Sequence, residues 1–554
     1  MRTLFTILTI LYVFTSAVSQ AQTLNYAWAA NANQSGEYCS PVQTAFDQAG
    51  NAYLLVNYSD ALTMGSLSIP AIYEFNQAVI CFSPSGLAQW FASAGSNDGA
   101  EASSMKIDHE GNIIVGGWYT NSYTMGSLSL SSETNDPQKL RHEFFLAKLN
   151  ASGQWQWARK QAIDTDQQGN VYAGGFYVGD TFQVGTESLD AEDELPFVSK
   201  YSSSGEPIWL RGPVTSFGAT LSDLIVLPDG NVCIAGDYGT YDDESVEIQF
   251  GSIQLVNEGD PEEGLTASNV YVACLNNTGT FLWAKQAGSI LYESFSGSLA
   301  ADQNKIYLSG SFQEEISIEG TAFSESASGD EGDTDFFIAC LDFSGNWQWL
   351  LGLGTADEDG IPGLTSSQDH LIYVFGRLSA DTLHLGSDEL SSSGQNTSFV
   401  GRILGDGNWA WAFVHPDVDA FAVKTTNQML FTGTFAETLT LGDITLNSTS
   451  NSESGDTYLA YASYQDQNPQ YLARTVQQEL NVFPNPANRL VQFTVPEHAG
   501  IWTVFALDGR CVAKGSFEQS SSRIDLGPDC SKGIYLLQVM SRSGKPYQAK
   551  LLVE

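Results

Sequence analysis

The sequence predicts an all-β protein, and three observations carry that prediction. Almost no segment of the 554 residues shows a 3.6-residue apolar period, short apolar runs alternate with turn residues throughout, and 52 glycines punctuate them. An apolar fraction of 42%, with 12% aromatic residues, is ample for a large packed core and argues against disorder over most of the chain.

The chain opens with MRTLFTILTILYVFTSAVSQAQT. One Arg precedes an apolar stretch from Leu4 to about Val13, and small or polar residues come after it, with Ala17-Val18-Ser19 and Ser19-Gln20-Ala21 as cleavage candidates. That order predicts a secretory signal over residues 1–21, too short and wrongly flanked for a membrane span. Elsewhere no apolar run approaches the ~18 residues a membrane helix needs, so no helical anchor is expected after signal removal.

A repeat dominates the chain from there to about residue 465. One hairpin recurs as QAVICFSPSGLAQWFAS (77–93), FFLAKLNASGQWQWARK (144–160), FVSKYSSSGEPIWLRG (197–212), VYVACLNNTGTFLWAKQ (270–286), FFIACLDFSGNWQWLLG (336–352) and FVGRILGDGNWAWAFV (399–414). Each carries an equivalent tryptophan: Trp90, Trp157, Trp209, Trp283, Trp349 and Trp411. Between them lies a second hairpin with a D-x-x-G-N-like turn, as in FDQAGNAYLLV (46–56), IDHEGNIIVGG (107–117) and TDQQGNVYAGG (165–175). Gly and Asn there supply the positive φ of a tight turn. A third element, such as TMGSLSI (63–69) or TMGSLSL (124–130), joins the two hairpins.

Each unit thus offers about four strands in roughly 60 residues, the size of one twisted antiparallel sheet. Such a sheet cannot bury both faces alone, and repetition around an axis solves the problem, so the repeat predicts a β-propeller. There are seven Gly-turn hairpins but six downstream Trp hairpins; LNYAWAAN (24–31), with Trp28 lying 62 residues before Trp90, supplies the missing strand. The prediction is a seven-bladed propeller of four-stranded blades over residues 22–465, closed by the N-terminal strand in the last blade. The pattern resembles bacterial β-propeller repeat families that alternate a D-x-x-G-N-x-Y-x-x-G hairpin with an F-x-x-K-x-x-x-x-G-x-x-x-W hairpin. The third unit departs from it: nine positions separate Trp157 from Asp166, against 18 between Trp90 and Asp108, so a truncated or reshaped blade is expected there.

From residue 479 the rhythm changes to short alternating strands with Gly, Pro and Asn at the turns, which predicts a small Ig-like β-sandwich over residues 479–554, after a linker at 466–478. This segment resembles the type A C-terminal sorting domain of the type IX secretion system. The matching residues are Pro484-Asn485-Pro486 at its entry, Gly509 and Arg510 in an L-x-G-R turn, Gly533 and Tyr535 in a G-x-Y-x-L-x-V strand, and Lys550 in the terminal strand. The resemblance implies export across the inner membrane, recognition by the outer-membrane translocon, removal by a sortase-like protease, and surface attachment or release. It implies a source among the Bacteroidota.

The net charge of −41 is unevenly placed. From Val476 onward there are eight Lys/Arg and seven Asp/Glu, which leaves 15 against 57 in the first 475 residues. So acidic a body repels nucleic-acid phosphates and anionic membranes, which excludes nucleic acid as the expected partner. The protein is expected to act as a monomer.

Chemical constellations are scarce. The six histidines are scattered without metal-ligand spacing, and no G-x-S-x-G elbow or P-loop occurs. No cofactor is predicted. Calcium candidates are Asp330, Asp333 and Asp335 in DEGDTD and Asp357 and Asp359 in DED, although neither run fits the D-x-[DN]-x-[DN]-G loop and solvated acidic loops are the preferred reading. Cys81, Cys274 and Cys340 share one repeat position and read as small buried apolar residues, whereas Cys511 and Cys530 are the disulfide candidates. The recurring tryptophans read as packing between sheets, while Trp118, Tyr119, Tyr123 and Tyr177 are the candidates for an exposed aromatic platform.

The expected function is a non-catalytic, exported binding protein that takes a protein or glycan at the cell surface, with translocon and sortase as partners of residues 479–554. A surface glycan lyase or hydrolase, and a structural surface-layer protein, are the alternatives.

Overall fold

The computed structural model describes residues 24–34, 38–131, 143–159, 164–166, 168–177, 181–190, 195–215, 218–239, 246–257, 268–288, 294–313, 315–318, 321–325, 334–354, 360–378, 382–385, 388–391, 397–449, 455–464, 478–479, 481–483, 490–494, 500–506, 511–517, 521–525, 532–541 and 546–553. The predicted signal peptide and most of the predicted linker lie outside them. The chain divides into two compact units, Met1–Gln465 and Asp466–Glu554, and no helix occurs among the described residues.

In the first unit each repeat lays down an inner, a second, a third and an outer strand, all antiparallel. The first sheet is typical, with Cys39–Phe46, Ala52–Tyr58, Phe75–Phe82 and Ala88–Ser96 in that order. The same order recurs on the inner strands Ala100–Ile107, Asp164–Thr165, Asp223–Val226, Ser294–Ala301 and Gly363–Ser366. A further sheet takes Ala420–Thr425, Gln428–Phe435 and Asp456–Tyr464 from the end of the unit and Leu24–Gln34 from its start. There Leu24–Gln34 runs antiparallel to Asp456–Tyr464 with Trp28 opposite Tyr461. Among the described residues the inner strands touch one another in cyclic order, Gly363–Ser366 meeting Ala420–Thr425 and Ala420–Thr425 meeting Cys39–Phe46.

The core lies between the sheets. Second and third strands such as Ala52–Tyr58 and Leu195–Tyr201 are buried at every position, as expected when both faces of a sheet are covered. Apolar clusters accordingly span successive sheets: Tyr172 and Val198 of one pack with Ile234 and Tyr271 of the next. The irregular third repeat keeps an inner strand, but only as Asp164–Thr165 paired with Tyr172 and Val171. Nine positions between Trp157 and Asp166 leave no chain for the eight residues that Ala100–Ile107 uses.

The Asp of the D-x-x-G-N turn is a backbone device. Asp47 Oδ1 accepts the Asn51 N–H at 2.8 Å, its Oδ2 accepts Asn51 Nδ2 at 2.7 Å, and Tyr53 Oη donates to the same Oδ2 at 3.1 Å. Asp166 is bonded alike by Asn170 and Tyr172. In the second repeat Lys148 Nζ takes the tyrosine's place, 2.8 Å from Asp108 Oδ2 in a nearly solvent-free ion pair. Burial would raise the Asp108 pKa, but the Lys148 and Asn112 bonds outweigh it and the carboxyl stays below its ordinary value.

The recurring tryptophans lock neighbouring sheets together. Each one through Trp349 lies against the turn glycine of the next outer hairpin. A Cβ on Gly86 would stand 2.5 Å from Trp28, on Gly153 2.5 Å from Trp90, and on Gly345 2.6 Å from Trp283. The indole N–H also reaches that turn: Trp28 Nε1 donates to Pro84 O at 3.1 Å, Trp209 to Asn277 O at 3.1 Å, and Trp283 to Phe343 O at 3.0 Å. Outer edges receive a second cover. The joining hairpins Leu62–Met64/Leu67–Ile69, Ser122–Met125/Leu128–Ser131 and Glu315–Ile318/Thr321–Glu325 pair with the outer strand of the preceding sheet and touch that of their own, so these edges are not open templates for aggregation.

The second unit has a five-stranded sheet in the order Gln478–Glu479, Pro546–Val553, Gly533–Ser541, Gly500–Ala506, Cys511–Phe517, and a three-stranded one in the order Asn481–Phe483, Leu490–Thr494, Ser521–Asp525. Gln478, predicted as linker, instead begins the strand that pairs in parallel with Tyr547 and Gln548. Val491, Phe493 and Ile524 of the smaller sheet share one core with Val504, Tyr535, Leu537, Val539, Leu551 and Val553 of the larger.

Two turn glycines separate backbone strain from the tryptophan contact. Gly153→Ala, at φ 76° and 2.5 Å from Trp90, should cost about 2–4 kcal/mol, whereas Gly230→Ala, at φ 83° with nothing within 4 Å, should cost only about 1 kcal/mol. Urea unfolding of both variants checks this, and equal losses would reject the role given to the indole.

Candidate functional site

Near its end the second strand of most repeats carries Gly followed by a residue that differs in every copy: Gly117-Trp118, Gly175-Phe176, Gly236-Asp237, Gly310-Ser311, Gly376-Arg377 and Gly433-Thr434, with Val56-Asn57 in the first. The glycine is forced where the inner strand passes closely. A Cβ on Gly117 would lie 2.1 Å from Glu101 O and one on Gly236 2.0 Å from Thr220 O. The variable residue comes next, at one end of the ring of inner strands, on the side from which the joining hairpins depart and opposite the Asp turns.

Several of these side chains reach an inner strand or the residues that lead into it. Asn57 clamps Ala102, donating Nδ2 to its O at 3.0 Å and accepting its N–H at 2.9 Å. Asp237 Oδ1 accepts Ser296 Oγ at 3.2 Å and Ser296 N at 3.3 Å. Arg377 Nη2 lies 2.9 Å from Asp419 Oδ1 and 3.3 Å from Asp417 Oδ1. Thr434 Oγ1 donates to Asp417 Oδ2 at 3.0 Å. Beside them Phe295, Ile361 and Tyr38 are exposed apolar or aromatic side chains, and Glu101, opposite Trp118, is exposed as well. The rim therefore mixes apolar surface, carboxylates and one cation within a single girdle.

Its electrostatics centre on Arg377. Burial, then the neighbouring Asp417, push the Asp419 carboxyl up, Arg377 opposes them, and the Asp417 charge raises the guanidinium further above its ordinary value. Asp237 is pushed up by burial against hydrogen bonds from Ser296. Arg377 keeps 60% of its side chain exposed, so it offsets part of the charge of this pair while still facing solvent.

His415 ends the outer strand that leads into Asp417, but it is sealed. Its ring stacks on Phe431 at 4.3 Å, and Nδ1, 2.6 Å from Pro416 O, must donate to that carbonyl. Nε2 is left to accept from Tyr26 Oη at 2.8 Å, which fixes the tautomer. Burial lowers its pKa to about 4.

The sequence-predicted residues have separate fates. Asp330, Asp333, Asp357 and Asp359 lie outside the described residues. Asp335 is a strand residue at 1% exposure, opposite Phe312 and packed against Gly354, rather than part of a solvated loop. Among the described residues no three His, Cys, Asp or Glu side chains gather as they would around a metal. Pro484, Asn485, Pro486, Gly509, Arg510 and Cys530 also lie outside, while Cys511 opens a strand opposite Phe505. Gly533 and Lys550 pair with Val553 and Leu536, and Tyr535 is buried with Leu537 and Val539 on one face, so that motif marks a core stripe.

Cys81, Cys274 and Cys340 are buried, and burial pushes Cys81 to about 11 and Cys340 to about 12. The aromatic platform needs correction: Tyr119 and Tyr123 are at most 1% exposed, Tyr123 stacking on Phe145 at 4.3 Å, because the joining hairpin folds them into the space between sheets. Trp118 is half-buried at the rim, and the Tyr177 side chain is not among those described.

Protonation of His415 would break its bond from Tyr26. With a folded pKa near 4 against an ordinary 6.5, the unfolded state binds the proton more tightly, so stability contributed above pH 6.5 is lost as pH falls toward 4, by up to about 3 kcal/mol. Urea titrations at pH 7 and pH 4.5 should show this loss in the wild type and a smaller one in His415→Gln; equal losses would refute it.

Comparison with known proteins places the C-terminal unit. Residues 481–554 match the family described as the secretion system C-terminal sorting domain. No curated protein matches the chain. A catalytically inactive virginiamycin B lyase from Staphylococcus aureus with quinupristin aligns at 8% identity, over 78% of this chain and 98% of its own, at a TM-score of 0.33. PorZ, a surface component of the type IX secretion system of Porphyromonas gingivalis, aligns at 10% identity over 93% and 81% of the two chains, at a TM-score of 0.18. Superpositions this loose carry no argument about activity. No described helix is long and apolar enough to cross a membrane. Residues 481–554 are thus a type IX secretion C-terminal sorting domain, and the chain that bears it is exported to the cell surface or the medium.

Proposed function

We propose that the exported protein is a non-catalytic binding protein in which residues 22–465 form a seven-bladed β-propeller closed by the N-terminal strand. Its variable rim takes a protein or glycan ligand at the cell surface. Residues 479–554 form a small Ig-like β-sandwich that engages the translocon and is cut away by a sortase. The cyclic contacts of the inner strands and the pairing of Leu24–Gln34 with Asp456–Tyr464 support the closed ring.

The observation that carries the binding reading is the rim position itself. Around it most repeats keep the turn Asp, the strand Gly and the Trp, while the rim place holds Asn57, Trp118, Phe176, Asp237, Ser311, Arg377 and Thr434. Buried positions also vary, as Tyr53, Ile114 and Cys233 do, but there the exchange is matched by the opposed strand. Half-buried Trp118 and exposed Arg377 instead put different chemistry beside solvent, as recognition of one asymmetric ligand requires. The catalytic alternative meets a chemical obstacle at the rim: His415 is sealed from solvent and the Asp417–Asp419 pair is held by Arg377.

Two experiments test this. Residues 22–465 probed on glycan and surface-protein arrays, with and without calcium, should give a ligand whose affinity falls about tenfold in Trp118→Ala or Arg377→Ala. Unchanged affinity in both would move the site off the rim, turnover of the captured glycan would favour the lyase or hydrolase, and no binding at all would favour a structural surface layer. Deleting residues 479–554 should leave the protein in the periplasm, and surface display without them would overturn the sorting role.

A further inference from the structure

In the fourth repeat the second strand Val232–Gly239 and the third strand Ser268–Leu275 place Cys233 directly opposite Cys274. The same opposed positions hold Tyr53 and Cys81, Ile114 and Lys148, Tyr172 and Lys200, Tyr307 and Cys340, and Tyr373 and Arg402 in other repeats. Two sulfurs thus face each other here where the neighbouring sheets set a large or charged side chain against a partner. Directly opposed residues of an antiparallel pair have Cα atoms about 4.5–5.5 Å apart, inside the span of about 4.4–6.8 Å that a disulfide bridges. Both residues are free cysteines here, at 0% exposure in one apolar cluster with Val272 and Leu308, and the Cys274 thiol has the Leu275 carbonyl, 3.9 Å away, as its hydrogen-bond acceptor.

We propose that Cys233 and Cys274 are joined by a disulfide in the exported protein. The route supplies the conditions: a chain leaving by type IX secretion crosses the periplasm, where thiols are oxidised. Once the strands have closed both side chains are at 0% exposure, out of reach of an outside disulfide, and burial raises the Cys233 thiol well above its ordinary value. Oxidation therefore precedes closure of the sheet. One cysteine thiolate attacks the disulfide of a periplasmic thiol oxidant and forms a mixed disulfide, and the second cysteine displaces the oxidant. The Cys233–Cys274 S–S bond forms as that of the oxidant breaks, and the two thiol protons and two electrons leave on the oxidant as its dithiol. The bridge closes a loop that contains the joining hairpin Val246–Phe250/Ile253–Asn257 and ties its two ends at the base of the sheet.

The test maps thiols in the full chain exported through a periplasm, denatured in the presence of an alkylating agent and digested without reductant. The expected result is a peptide carrying Cys233 linked to one carrying Cys274, released by reductant, with Cys39, Cys81 and Cys340 alkylated. Alkylation of both Cys233 and Cys274 would overturn the proposal. As a second readout, Cys233→Ala/Cys274→Ala should unfold at lower temperature than the oxidised wild type, and reducing the unfolded wild type before refolding should remove the difference. A difference that persists after reduction would mean packing alone and count against the bridge.

Discussion

The contact on which the first unit depends is the one between a tryptophan indole and the turn glycine of the next sheet. It settles two things at once. The turn must be glycine because its φ is positive and because any Cβ would enter the ring, as at Gly86 against Trp28 and Gly153 against Trp90. The spacing between sheets is set by the thickness of an aromatic ring, with the indole N–H reaching a turn carbonyl to fix the orientation. A sheet displaced from this position would lose both the buried area and the hydrogen bond. Trp28 extends the rule across the ends of the unit, since it sits in the N-terminal strand yet packs under a turn of the following sheet as the other tryptophans do.

Once the sheets are so fixed, the recurring residues are spent on structure. The turn Asp is saturated by the backbone, by Asn and by Tyr or Lys, and the glycines at the strand ends admit the inner strand. What varies is the residue near the end of the second strand, from which Asn57 and Asp237 reach the next inner strand. Asn57 and Asp237 use that place to brace adjacent repeats, whereas Trp118 and Arg377 present part of their surface outward. Scaffold and candidate site are thus adjacent positions of one repeat rather than separate regions. The second unit has the same economy: Tyr535, Leu537 and Val539 of the sorting motif fill its core, so the residues that identify it are those that let it fold.

Much of this was legible in the chain. Turn chemistry, the tryptophan hairpins and the odd strand at Leu24–Asn31 are local patterns repeated many times, and repetition amplifies a local signal. The shortened third repeat was equally visible as missing residues between Trp157 and Asp166, and it survives as Asp164–Thr165 alone. Tyr119 and Tyr123 were not legible as core, because an aromatic residue beside an irregular loop looks exposed until the joining hairpin is seen to fold it inward. Nor was the rim, whose only signal is the lack of recurrence at one place.

By itself the sequence determined strand content, the repeat, the acidic body and the export address, since each rests on composition, periodicity or short contiguous motifs. Tertiary structure alone decided which distant side chains meet: Arg377 with Asp417 and Asp419, Tyr26 with His415, and Cys233 with Cys274. Those encounters depend on strand register and, for Tyr26 with His415, on the pairing of Leu24–Gln34 with Asp456–Tyr464. A register is set by the whole sheet at once, because shifting a strand by one residue turns every side chain to the opposite face.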